Sequence, residues 1–480
     1  MLVALAVPVA GLAWRSRGWP LVHDAPIMHY IAWRIGEGAV PYRDVFDMNF
    51  PGTYLLHLGV LWLLGPGDGA WRLFDLAWLA GGAAAVLALA WPWGRSASAA
   101  GALFFALHHL AAGPWQTGQR DFLLCPFLLL GTLAVARWLE HRGGIGTLTW
   151  GGLALGAGIT IKPHALLLAA ALGGVILVGA WRAGVWAPAA AFTLGVALLP
   201  LAVILWVAAL GGWPAWRAMV LDYVIPLYSQ VGRPGRWGFD RWQTWLPVAA
   251  AVLLNLGSAL AHRRFGARHA LAGLGLAYGV AHYVSQNKGW EYHVYPLAAF
   301  AAVVLVSELE PLIRARRFLL AGSLAACLGL ASAGFWLKGA EAAQAAEGGW
   351  ITAKERRVSA VAAELAAQLR PGDLVQVLDT TEGGAHALLR LKVRQPSRFL
   401  YDFHFLHDAD HAVIRGLRAE LVSALGARPP RVIVLFRDGW PGGGYERLAA
   451  FGELTRLLED GYRLVRETDG YRLYAKRGDS

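Results

Sequence analysis

Through about its first 340 residues the chain alternates long apolar runs with short polar breaks. Apolar segments cover about 1–14, 71–93, 97–112, 121–138, 147–161, 163–181, 187–210, 245–262, 269–286, 291–308 and 317–337. Most approach the ~17–25 residues a helix needs to cross a bilayer. Backbone groups inside lipid must pair within their own segment, so each run is expected as a helix. The pattern thus predicts about eleven spans. The shorter run 53–64 is expected as an interfacial helix in the first polar loop. The pair around Lys162-Pro163 is expected as a broken or re-entrant element, which lipid tolerates only inside protein or beside a cavity. The run 1–14 lacks a basic start, so it is expected as an uncleaved first span and not a signal peptide.

After Lys338 the period changes. Val358, Val361, Ala362, Leu365 and Leu369 recur at helical spacing within 351–370, closed by Pro371-Gly372. Short β-rich runs follow at 374–378, 398–401 and 431–436, with helical patterns between them. Asp469-Gly470 joins two final strands as a hairpin. This predicts a polytopic α-helical membrane part, 1–338, and a small C-terminal α/β domain, 339–480, with a mostly parallel sheet. The polar loops of the membrane part lie at 15–70, 113–121, 211–244 and 286–291.

Composition agrees. The 480 residues are 56% hydrophobic and 16% charged, with a mean hydropathy of +0.43; soluble domains are about a quarter charged. The 23 Trp and 14 Tyr suit interfacial belts. The net charge of +11 does not point to nucleic acid, because the cations are scattered among membrane loops. Arg95, Arg137, Arg142, Arg182, Arg263, Arg264, Arg268, Arg314, Arg316 and Arg317 crowd the short loops, which orients those loops to the cytoplasm. The amino terminus is then cytoplasmic. The loops around Asp24, Asp121, Lys162, Asp222 and Lys288, and the C-terminal domain, fall on the periplasmic side of a bacterial inner membrane. Cys125 and Cys327 lie in separate apolar runs and are expected as buried apolar side chains, not a disulfide or zinc pair.

The polar block beside the first apolar run is the place to look for chemistry. It contains His23-Asp24-Ala25-Pro26, Pro41-Tyr42-Arg43-Asp44 and Asn49-Phe50-Pro51-Gly52-Thr53-Tyr54. With Ala32-Trp33-Arg34-Ile35-Gly36-Glu37-Gly38-Ala39-Val40 between, it resembles the first outer loop of the GT-C membrane glycosyltransferases. In pattern it is most similar to glycosyltransferase family 39, the protein mannosyltransferases, and to the lipid A aminoarabinose transferases. Gly118-Gln119-Arg120-Asp121, Thr160-Ile161-Lys162-Pro163 and Lys288-Gly289-Trp290-Glu291-Tyr292-His293 extend the resemblance over roughly 1–310. One departure is that many relatives carry Asp-Glu where this chain has Asp24-Ala25.

The resemblance implies transfer of a sugar from a polyprenyl-phosphate donor to a lipid, glycan or protein acceptor, by a single displacement that inverts the anomeric centre. Asp24 is the expected base; the alternatives are a helix cap or a partner for Arg34. Asp121 joins it as a candidate that binds a metal, orients the acceptor or pairs with Arg120. Lys162 interrupts apolar runs, where an unpaired charge is costly; with Lys288, Arg120 and His293 it forms the expected phosphate-binding set. Arg43, Asp44, Asn49 and Tyr292 are the expected substrate-positioning residues, with Arg43–Asp44 and Asp47–Asn49 pairing as the plainer alternative. His108-His109 point different ways on a helix and are expected as packing residues, and the stretch from Asp222-Tyr223 to Tyr228-Ser229-Gln230 is a candidate acceptor side. A divalent metal is left open. A secondary transporter or a membrane receptor with a periplasmic domain are the alternatives from other classes.

Overall fold

The computed structural model describes residues 2–232 and 242–478, so part of the loop 211–244 lies outside the described residues. All eleven predicted apolar runs are helical. Among the described residues, seven helical segments are long and apolar enough to cross a membrane, including Asp68–Trp93, Arg120–Leu139, Ala187–Ala209 and Glu291–Arg314. The other four runs form the helices Leu2–Arg15, Arg95–Ala112, Ile145–Ile161 and Ala267–Gln286. The chain is a multi-pass membrane protein.

Ala187–Ala209 shows why. Its Leu194, Leu198, Leu201 and Leu205 are all exposed, a surface that is stable against lipid and not against water. Its inner face meets Ile145–Ile161 through glycines. A Cβ on Gly152 would stand 2.4 Å from the Phe192 carbonyl oxygen, so only glycine lets the two backbones approach. The run around Lys162-Pro163 is a break, as expected. One helix ends at Ile161, Lys162 is extended, and the next begins at Ala165. The run 53–64 forms the helix Pro51–Leu63, with Pro51 pre-set for its first turn.

The C-terminal sheet has four strands in the order β1-β2-β4-β3: β1 Val375–Leu378, β2 Val432–Phe436, β3 Tyr462–Glu467 and β4 Tyr471–Lys476. Only β1 and β2 are parallel; β4 pairs antiparallel with both β2 and β3. The sheet is mixed, which corrects the mostly parallel expectation. The final hairpin contributes both antiparallel pairings, because its short turn brings β4 back beside β3. The run 398–401 is not a strand. It makes single bridges, Phe46 to Phe399 and Asp379 to Tyr401, and so ties the first polar loop to the sheet region.

That tie is extensive. Phe46 N donates to the Arg398 carbonyl at 2.8 Å, and Tyr30 Oη donates to the Val393 carbonyl at 3.1 Å. Tyr223 Oη lies 2.7 Å from His404 Nδ1. Side chains of the first loop, such as Tyr42, Phe46 and Tyr54, share one apolar core with Val377, Phe399 and Leu435. One helix, Phe318–Glu347, runs through the position where the composition changes. Both cysteines are free; Cys125 is buried, while Cys327 is half-buried and not fully interior as expected.

Candidate active site

The membrane helices and the C-terminal region enclose a cavity of about 350 Å³. From the membrane part come His23, Asp24, Asn49, Trp115, Arg120, Glu291 and Tyr292. From the C-terminal region come Thr380, Thr381, Tyr401, Phe403 and Trp440. Thr380 and Thr381 follow β1 after Asp379, and Trp440 lies four residues beyond β2. The cavity therefore lies off the carboxyl ends of the two parallel strands, where α/β sheets commonly present ligands.

Local sequence aims Asp24 at this cavity. His23 adopts φ +66°, a strained value for a non-glycine residue. The helix Ala25–Gly36 starts directly afterwards, with Pro26 in its first turn. The Asp24 side chain makes no helix-capping hydrogen bond, and Arg34 pairs with Glu37 at 3.9 Å. Both plainer alternatives for Asp24 are thus corrected. Its partners come from the turn at 118–120: Gln119 Nε2 and Arg120 Nη2 each donate to Asp24 Oδ2 at 3.2 Å. Gly118 shapes that turn with φ +78°, and a Cβ there would lie 2.4 Å from the Trp71 ring. No other residue fits.

Burial alone would raise the Asp24 pKa, but the charges of His23 and Arg120 and the hydrogen bonds from Gln119 and Arg120 outweigh it and hold the carboxyl below its ordinary value. Burial lowers the pKa of His23 itself, so Arg120 is the dependable counter-charge. Arg120 Nε is buried without a hydrogen-bond partner among the described residues. A guanidinium carries five N–H donors, and this one keeps capacity for a second anion. The other carboxylate on the cavity, Glu291, pairs with Lys338.

Asp121 sits one residue on and faces away from the cavity. It is fully buried and pairs with Lys162, 2.9 Å away, and not with Arg120, which corrects that alternative. His282 Nε2 lies 2.5 Å from Asp121 Oδ1, and Gln286 Nε2 donates to the same oxygen at 3.2 Å. Lys162 also bonds Gln286 Oε1. Asp121 and Lys162 do not line the cavity.

Lys288 likewise points into protein. It donates to the Tyr228 carbonyl at 2.7 Å and to that of Val231, and its ammonium stands 4.5 Å from the Tyr228 ring centre. His293 is buried against Trp290 and Tyr292. Arg43 and Asp44 pair with each other at 2.9 Å on the surface, so their expected place beside substrate is corrected: they brace the loop. Asn49 lines the cavity and donates through Nδ2 to Asp47 Oδ1 at 2.7 Å. Burial, opposed by hydrogen bonds from Asn49 and Tyr54, raises the Asp47 pKa. His109 is a packing residue that bonds Tyr295 and Asp75. Among the described residues no group of three His, Cys, Asp or Glu stands close enough to hold a metal ion.

The sequence pointed to Asp24, Arg120, Asn49 and Tyr292, and the structure brings these four together. It missed Thr381, Tyr401 and Trp440. The one signal for them was position, Thr381 and Trp440 shortly after predicted strands and Tyr401 at the end of one, since none belongs to a motif.

No family model matches the chain, and no curated protein matches its sequence. Solved structures do. The crystal structure of ArnT from Cupriavidus metallidurans bound to undecaprenyl phosphate aligns at a TM-score of 0.60 with 15% identity, covering 100% of this chain and 98% of that one. The archaeal oligosaccharyltransferase AglB from Archaeoglobus fulgidus, in complex with an inhibitory peptide and a dolichol-phosphate, aligns at 0.50 with 12% identity, covering 99% and 74%. The chain shares the fold of these two membrane proteins over its full length.

Proposed function

We propose that the chain is an integral-membrane glycosyltransferase. It moves a sugar from a polyprenyl-phosphate donor to a hydroxyl acceptor on the periplasmic face of a bacterial inner membrane. The observation that carries this reading is the Asp24–Arg120 pair at the wall of the cavity between membrane helices and C-terminal region. The fold likeness to ArnT and AglB, whose structures hold polyprenyl or dolichol phosphate, supports the donor class.

In this mechanism the acceptor oxygen attacks the anomeric carbon while the bond from that carbon to the phosphate oxygen breaks. Asp24, ionised beside Arg120, takes the acceptor proton. The spare donors of Arg120 face the charge that develops on the departing polyprenyl phosphate. A single displacement inverts the anomeric centre, and the oxocarbenium character of the transition state matches that of glycoside hydrolysis. Asp121 and Lys162 hold the helix that carries Arg120, so both are positioning residues. Lys288 and His293 shape the loop that bears Glu291 and Tyr292.

The test is incubation of the purified full chain with polyprenyl-phosphate-linked sugars, reading release of polyprenyl phosphate by mass spectrometry. Release that depends on Asp24 is expected. Absence of both release and lipid binding would overturn the reading.

A further inference from the structure

The cavity has two unlike walls. The membrane wall holds the ionised groups, and the C-terminal wall holds hydroxyls and rings. Each carboxylate on the cavity already has a cation, Asp24 with Arg120 and Glu291 with Lys338. The opposite wall is held rigid from behind. Asp379 accepts backbone N–H bonds from Glu382 and Gly384 at 2.7 Å and from Gly383 at 3.0 Å. Thr380 Oγ1 donates to Asp402 at 2.7 Å, and Asp402 pairs with Arg447 at 2.6 Å. Thr381, next in the chain, has no such engagement; its hydroxyl and that of Tyr401 lack hydrogen-bond partners among the described residues, and both residues line the cavity. Trp440 closes the wall, its ring 5.3 Å from Trp290 and 5.4 Å from Phe403. Free hydroxyls beside a fixed aromatic face are what a sugar ring requires, since its C–H face stacks on a ring and its hydroxyls need fixed polar partners.

Resting on the glycosyltransferase reading, we propose that Thr381, Tyr401 and Trp440 of the C-terminal wall bind the transferred glycosyl group and select an uncharged sugar over an amino sugar. An ammonium on the sugar would enter a site whose carboxylates are already neutralised, and would lose hydration without gaining a counter-charge.

Equilibrium binding to the full chain in nanodiscs tests this. The probes are bare polyprenyl phosphate, the same lipid carrying glucose, mannose or arabinose, and the lipid carrying a 4-amino-pentose. At least one neutral-sugar lipid is expected to bind about tenfold tighter than the bare lipid, and the amino-sugar lipid no tighter than bare. Thr381→Val and, separately, Trp440→Ala should erase the neutral-sugar advantage and leave bare-lipid affinity unchanged. Thr381→Val keeps shape, so it decides the matter should Trp440→Ala lower the thermal transition. Equal binding of every neutral-sugar lipid and the bare lipid overturns the inference while leaving the enzyme reading standing, and so does tighter binding of the amino-sugar lipid than of any neutral one. Failure of every lipid, bare and sugar-bearing, to bind, together with absence of release, overturns the enzyme reading and this inference together.

Discussion

Two acid–base pairs stand one residue apart in this molecule and have opposite surroundings. Arg120 reaches Asp24 across the cavity wall, through a single 3.2 Å contact, and both side chains keep some exposure, 10% and 15%. Asp121 turns the other way into the helix bundle, where its carboxylate is 0% exposed and Lys162, His282 and Gln286 gather on it. The lesson is that access, and not charge or neighbourhood in sequence, separates a group able to meet substrate from one that holds helices together. A buried ion pair is weak evidence of net stabilisation, yet removing one partner leaves the other charge stranded. An accessible carboxylate at a cavity can take a proton from a bound acceptor.

The sharpest way to break the comparison is at Asp24. Asp24→Asn should lower turnover about 10²–10⁴-fold, the range typical of a positioned base, with membrane insertion and thermal unfolding unchanged. Single-turnover consumption of donor measures it, and near-normal turnover would remove the distinction between the two pairs. Asp121→Asn should act mainly on folding, at a cost of about 3–5 kcal/mol for the stranded Lys162. The double variant Asp121→Asn/Lys162→Met should recover much of that loss, as read by thermal unfolding in detergent. A double variant as unstable as the single one would show that the pair itself is not the source.

A smaller effect is expected behind the C-terminal wall. Burial, helped by the charge of Glu382, raises the Asp379 pKa to about 6 despite its backbone hydrogen bonds. The folded state keeps this proton longer than the unfolded chain, whose aspartates titrate near about 4. The resulting penalty is absent below about pH 4 and complete above about pH 6, so stability falls as pH rises through that window, by roughly 1–3 kcal/mol. Asp379→Asn should flatten that slope in unfolding scans across pH; an unaltered slope would assign it to another group. The smallest effect belongs to the surface pair: Arg43→Ala should leave turnover within about twofold. A large loss there would restore Arg43 to the substrate-positioning set.

Much of the architecture was legible in the apolar pattern, because lipid requires each span to satisfy its own backbone and to be apolar along its length. The helix Trp350–Gln368 was equally legible, with Val358, Val361 and Leu365 buried on one face. The mixed sheet was not, since a β-rich run does not state its partner or direction. The run 398–401 has strand composition, but its neighbours are Phe46 and Asp379 from different regions.

Taken alone, the sequence determined that this is a membrane protein of many helices with a small α/β region, and that Asp24 lies in a polar block that lipid gives no reason to keep. Those are properties of local composition and period. Only the tertiary structure decided which charges meet. Asp24 and Arg120 are 96 residues apart, and Asp121 and Lys162 are 41 apart, so no local pattern links them. It also decided that Arg43 and Lys288 turn away from the cavity, and that Thr381, Tyr401 and Trp440 complete it. The reason is physical: a side chain's role depends on which groups surround it after burial, and those groups come from segments that the fold alone brings together.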